Sequence, residues 1–492
     1  MRTSVVGFVT LYAVSLGAQM PPSDGVEYET LVIRNALVID GTANPVRGPY
    51  DITIEGGIIS EMTRYNASRE ITADRIIDAS AMYVMPGIID MHGHIQFSRN
   101  GEPMPRDYVY KLWLAHGITT VRDPGSGEGL DTIVAHAELS QHNEISAPAI
   151  IPYVTFPAVR SPDEVRRTVR DLRGRGARGI KAFIMPPQIF SALMTEANEI
   201  GLPVAVDLKI QETDAMAAAR AGIRSLEHWY GIPDAAIPGP QNFPADYNYD
   251  DELDRFRWAG DLWRQADPEL LSAVLDTMVA HGVTWDPTFA VYEANRDLSR
   301  ARNLPWFEDY ALPNLLDFFE PDPARHGSYH LDWTTADEIM WRNNFRIWMH
   351  WIREYAARGG NVTIGSDAGF IYHLYGFGTI REMELHQEAG FHPLEVIRQA
   401  TANGAAALGL SNTGIVRVGY EADLAIVSGN PLHNLKLLYG TGIERVSEDG
   451  EIVRAGGVRY TVKDGIVFDA HELLRQIREM VAAAKRARVT AP

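Results

Sequence analysis

Two kinds of hydrophobic pattern divide the chain. Near the start, YETLVIRNALVIDG and YDITIEGGIISEM (from Tyr28 and Tyr50) alternate apolar and polar positions, with Asp-Gly and Gly-Gly as hairpin punctuation. ADLAIVSG, IERVSEDGEIVRAG and VRYTVKDGIVF repeat that style near the other end. Between them, short apolar runs alternate with amphipathic windows of helical period. The strand candidates are Val84–His92, Ile118–Asp123, Ala149–Phe156, Gly179–Ile184, Pro203–Asp207, Ser225–His228, Val283–Phe289 and Asn361–Asp367. Helix-like stretches separate most of them, such as SPDEVRRTVRDLRGRGA, which opens on Ser161 as an N-cap. Eight such β/α units over roughly 320 residues match a (β/α)8 TIM barrel with insertions. A doubly wound open sheet is the alternative that periodicity does not separate from it.

Two gaps are oversized: a Pro- and Asp-rich loop around Ile232–Asp254, and an aromatic stretch from Trp306 to Trp351. All the tryptophans except Trp113 fall between Trp229 and Trp351. They either line a pocket for a bulky apolar substrate or pack as helix core, as the helical spacing of Trp341, Trp348 and Trp351 suggests.

Composition narrows the function classes. The 492 residues carry 45 Lys+Arg against 64 Asp+Glu, a net charge of −19, with 46% hydrophobic residues and no cysteine. The length permits a large barrel with attachments and a sizeable core. Without cysteine there is no disulfide, thiolate metal site or thiol nucleophile. The acidic balance argues against nucleic acid as a partner. Arg2, the apolar run Val5–Leu16 and the small residues Gly17 and Ala18 form a secretory signal pattern over 1–19, too short for a comfortable membrane span. The expectation is an exported protein, periplasmic or secreted, with no stable membrane span in the mature chain.

The sharpest chemistry is VMPGIIDMHGHIQF, where His92 and His94 sit two apart at the end of an apolar strand. Residues i and i+2 of a strand share a face, so both imidazoles can converge on one metal. Lys181 ends GIK, His228 ends SLEH and Asp367 ends VTIGSD, each at the C-terminal end of a different predicted barrel strand, where barrel chemistry is placed.

These residues resemble the amidohydrolase superfamily, in its imidazolonepropionase-like branch with the prolidase-like dipeptidases. The resemblance runs through MPGIIDMHGH, GITTVRD, SLEH, GSDAG, HPLEVIRQATANGAAALGL and GYEADLAIVSGNPL. It implies an α/β chain with a signal peptide (1–19), a composite β-sandwich from both ends (28–85 and 415–470) and a metal-dependent barrel (86–414). Long insertions lie near 231–265 and 296–345, and a helical tail covers 471–492. It also implies a homo-oligomer and one or two divalent metals, zinc by preference. By that analogy His92, His94 and Asp367 hold the first metal, a CO2-derived carbamate on Lys181 bridges, and His228 holds the second. A metal-held hydroxide attacks an amide carbonyl and Asp367 shuttles the proton, so Asp367 and His228 are the catalytic residues. The substrate expected is a dipeptide or an N-acyl amino acid. A lactonase or other ester hydrolase is the alternative on the same centre.

The departure is at the fifth strand, where relatives carry a ligating histidine in a phrase like VHAHG and this chain reads PVAVDLKI. Either Asp207 is itself a ligand and two metals bind, or the Lys209 ammonium takes the second metal's place. The second case leaves a one-metal enzyme or an inactive binding protein. Tyr230 and His373 are expected to contact substrate, and Arg122 to serve either there or as barrel-rim structure. His136, His142, His281, His386 and His392 fall on helices or helix starts and read as surface or capping residues.

Overall fold

The computed structural model describes residues 20–125, 127–183, 185–208, 213–248, 251–324 and 327–490. The proposed signal segment 1–19 and Lys209 lie outside the described residues. Eight parallel strands form the central sheet: β1 (Ile88–Asp90), β2 (Ile118–Pro124), β3 (Ala149–Thr155), β4 (Gly179–Ala182), β5 (Val204–Val206), β6 (Ser225–Glu227), β7 (Thr284–Asp286) and β8 (Asn361–Val362). They pair in sequence order. A parallel bridge between Gly93 and Ala368, with Met91 and Asp367 N–H donating to the carbonyls of Ile364 and His92, brings the two ends together. This curled sheet is the barrel, and the open doubly wound alternative falls away. All of β2 is buried, as in a sheet covered on both faces.

Local sequence explains the element boundaries. Ser161 accepts a hydrogen bond from the Glu164 N–H, and Pro162 occupies the first helical position of Pro162–Gly174. The run Val84–His92 is not one strand. Met82–Pro86 pairs with Leu424–Ser428 in the other sheet, and the chain re-enters the barrel as β1. At the break, the Gly87 N–H donates to the Asp423 carbonyl, and a Cβ there would lie 2.1 Å from Thr119 Oγ1.

The second sheet interleaves both chain ends in the order Ile466–Asp469, Gly457–Lys463, Leu424–Ser428, Met82–Pro86, Thr30–Val38, Arg47–Glu55, Ile58–Arg64, with Arg75–Asp78 beside Thr30–Val38. Its own core includes Ile33, Ile52, Val84, Leu424 and Ile426. A helix, Ala470–Thr490, closes the chain and buries Leu473, Leu474, Ile477 and Val481. No described helix is long and apolar enough to cross a membrane. Trp229, Trp263, Trp285, Trp341 and Trp348 are all fully buried, so these tryptophans are core.

Candidate metal centre

His92, His94 and Asp367 offer ligand atoms that all lie within 4.8 Å of one another at the C-terminal mouth of the barrel. His94 Nε2 is 3.1 Å from Asp367 Oδ1, and His92 Nε2 is 3.7 Å from the same oxygen. Gly93 is required between the histidines, because a Cβ there would meet Val121 Cγ1 at 2.5 Å and Trp113 at 2.8 Å. Facing this trio, His228 Nε2 lies 3.6 Å from Asp207 Oδ2 and 3.9 Å from Asp367 Oδ2. Lys181 Nζ reaches within 3.2 Å of His92 Nε2. The six residues read from five strands therefore meet in one place. His228 and Asp367 have φ of 59° and 50°, and Thr288, just past β7, has 50°. Left-handed backbone at non-glycine residues is uncommon, and three instances at three strand ends concentrate strain at the site.

The ring nitrogens away from the centre are anchored. His92 Nδ1 is 2.8 Å from Glu227 Oε2 and His228 Nδ1 is 2.5 Å from Thr288 Oγ1. With Glu227 ionised, His92 carries its proton on Nδ1 and turns the Nε2 lone pair to the centre. Burial, with the Lys181 charge beside it, pushes His92 down to about 3. Burial also lowers His94 and His228, so all three imidazoles are neutral, as metal ligation requires. Burial pushes Asp367 up, but the surrounding imidazoles outweigh it and hold the carboxyl well below its ordinary range. Asp207 Oδ1 is buried and, among the described residues, has no hydrogen-bond partner. A desolvated carboxylate oxygen without a partner is costly unless a cation fills the space. Neutral imidazoles and two carboxylates together suit divalent metal.

Beneath this layer lies a network the sequence reading did not find. Arg122 donates to the Met91 carbonyl, to Ser225 Oγ at 2.8 Å and to Glu227 at 2.6 Å, and lies 3.4 Å from Asp286. All three charged side chains are buried. Burial raises Glu227, but Arg122 and the hydrogen bond from His92 hold it well below the carboxylate range; burial and Glu227 together push Asp286 well above it. One cation thus faces one anion and one neutral acid. Arg122 is a strut under His92 and does not reach the cleft, which corrects its assignment to substrate. In SLEH, strand alternation sends Glu227 below the centre and His228 into it, a signal that was legible but unused.

His373 also departs from expectation. It is buried and is not among the residues lining the cleft; Glu293, Arg381 and Arg300 lie within electrostatic reach, and burial pushes it down to about 4. Tyr230 does line the cleft, a cavity of about 330 Å3 above the centre. Phe183, Phe256, Tyr292, Tyr329 and Phe370 complete an aromatic wall, with Glu252 and Arg255 on one side. Trp229 stacks on Tyr230 and Trp341 on Tyr292, so the tryptophans support the cleft aromatics from behind. Of the five helix histidines read as surface or capping, His136 and His386 are buried, bonded to Tyr110 and to Gln399 and Glu382.

The profile of the amidohydrolase family matches residues 83–467, most of the chain and every residue of this centre. The protein belongs to the amidohydrolase family. Among curated relatives of this amidohydrolase, the dihydroorotase of Aquifex aeolicus (strain VF5) is 25% identical over 182 residues, 35% of this chain and 41% of that enzyme. The chain therefore spans less than half the length of that relative. Among solved structures, a Xaa-Pro dipeptidase with bound methionine in its active site superposes with a TM-score of 0.62 at 20% identity, covering 89% of this chain and 100% of that one. Bottromycin amidohydrolase superposes with a TM-score of 0.66 at 19% identity over 93% and 91%. These likenesses are of fold.

Proposed function

We propose that this amidohydrolase is a metal-dependent hydrolase of an amide bond in a small substrate, a dipeptide or an N-acyl amino acid. The observation that carries the reading is the convergence of His92, His94, Asp367, His228 and Asp207 beneath a cavity of about 330 Å3, a size that suits a small molecule. The similar folds of a Xaa-Pro dipeptidase and an amidohydrolase lend support. His92, His94 and Asp367 would hold one divalent ion, zinc by preference. His228 and Asp207 would hold a second, with a carbamate on Lys181 between the two. Metal bound here supplies Lewis-acid polarisation of the carbonyl and a water of lowered pKa.

The chain's own residues do the rest. Asp367 takes the proton from the attacking water and delivers it to the leaving nitrogen, without which an amine is not expelled from a tetrahedral adduct. Its carboxylate is ionised and oriented by His94 at 3.1 Å. Tyr230, pushed up to about 12 mainly by burial, stays a hydrogen-bond donor through the neutral range and is placed to hold the substrate's carbonyl oxygen.

The test is elemental analysis of chain purified without chelator and reconstituted with zinc and bicarbonate, followed by a panel of dipeptides, N-acyl amino acids and lactones. About two zinc ions per chain, falling to about one in Asp207→Ala, with amide turnover, is the expected result. One ion in both proteins removes Asp207 from the ligand set. Lactone turnover without amide turnover overturns the choice of bond.

A further inference from the structure

Cleaving an amide needs no fixed cation outside the metal cluster, yet the cleft has one. Among the described residues lining it, the cationic side chains are Lys181, which sits against His92, and Arg255. Arg255 belongs to the helix Glu252–Trp258, which lies in the long insertion after β6. Its side chain is only 11% exposed, and its Cζ lies 5.1 Å from the centre of the Tyr230 ring. Among the described residues its side chain donates one hydrogen bond, from Nη2 to Glu252 Oε1, and that pair fixes the side chain against the wall. A guanidinium has five N–H donors, so most of this one's donors remain for a ligand. A guanidinium that lines a mostly aromatic pocket, held by Glu252 and within electrostatic reach of Asp207, is an anion receptor. The cavity's volume of about 330 Å3 restricts that anion to a small molecule.

We infer that Arg255 is a specificity-determining residue that binds a free carboxylate on the substrate, so that the enzyme selects small amides bearing a carboxylate over neutral amides of the same shape. This rests on the amide-hydrolase reading for its chemistry, but the binding it asserts can be measured without turnover. The planar fork of Arg255 meets the carboxylate edge-on while Tyr230, beneath it, donates to the neighbouring carbonyl. Glu252 is a positioning residue that holds the fork in place.

The test is calorimetric titration of zinc-reconstituted full-length protein with two inert probes of matched shape, 3-phenylpropanoate and the neutral ketone 4-phenylbutan-2-one. The wild-type chain is expected to favour the carboxylate by about 10- to 100-fold, the range of a charge-assisted hydrogen-bonded pair. In Arg255→Met that preference disappears while ketone affinity and zinc content are unchanged. Arg255→Lys, which keeps the charge but not the fork, retains part of it and covers the case in which the methionine variant fails to fold. No preference in the wild type, or the same preference in the variants because the carboxylate sits on the metals, overturns the inference. Absence of amide turnover in any of these proteins bears on the proposed reaction alone, since neither probe is a substrate.

Discussion

Replacing Arg122 by methionine tests whether the buried network under His92 is held by charge. The guanidinium is fully enclosed and bonded to Met91, Ser225 and Glu227, with Asp286 at 3.4 Å. Methionine fills most of the volume, so the loss is chiefly electrostatic: Glu227 keeps its hydrogen bonds from His92 and Ser225 but loses its counter-charge in a site without water. Breaking a buried pair from one side typically costs about 3–5 kcal/mol, a large part of a typical total stability of about 5–15 kcal/mol. The sign with pH follows. In the native chain Glu227 lies below its unfolded value, so its contribution is present above about pH 4.3 and lost as pH falls through the folded value. Without Arg122, burial dominates and raises the folded value instead. The variant then loses about 1.4 kcal/mol more per pH unit above about pH 4.3, until the folded carboxyl ionises. Urea denaturation of chelator-treated protein at pH 5 and pH 8 reads both effects. Adding Glu227→Gln removes the stranded charge, so the double variant should be more stable than Arg122→Met alone. Additive losses within about 0.5 kcal/mol, or a deficit equal at both pH values, would refute the charge argument.

Two further outcomes are expected. In Gly93→Ala the new Cβ would lie 2.5 Å from Val121 Cγ1; overpacking of this kind costs about 1–3 kcal/mol, and shifting the segment between His92 and His94 should weaken zinc binding about tenfold or more, read by chelator competition. Affinity within twofold of wild type would show that the close approach does not set the ligand geometry. Burial, reinforced by Asp464, pushes Asp423 up to about 7. Its folded value exceeds the unfolded value of about 3.9, so its contribution to stability is present below that pH and lost as pH rises toward 7. Asp423→Asn should reduce the fall in denaturation midpoint between pH 5 and pH 7.5; an unchanged fall would mean that Asp423 is ionised in the folded chain.

The barrel was readable along the chain because each strand is a short apolar run ending in a residue that is polar for a reason. His92, Lys181, Asp207, His228 and Asp367 stand at the one place in such a fold where polarity is used, and strand periodicity alone puts His92 and His94 on a common face. The same periodicity places Glu227 opposite His228. Its partner Arg122, however, comes from a strand four positions away in the barrel, and nothing local in GITTVRD says that the guanidinium points down to Glu227 and Asp286. His373 was misplaced for a related reason. It lies in the loop after β8, and direction in a loop follows from tertiary packing that the local sequence does not specify. The tryptophans near the cleft pattern equally well as wall or as core, and only their burial behind Tyr230 and Tyr292 separates the two. Arg255 lies on a helix of seven residues inside an insertion, where no periodicity links it to the metal centre. Local pattern is set by contacts within a few residues, so it reports strands, caps and the ligands at strand ends. Which cation faces which anion, and what lines the cavity, depends on long-range packing that no window of the chain contains.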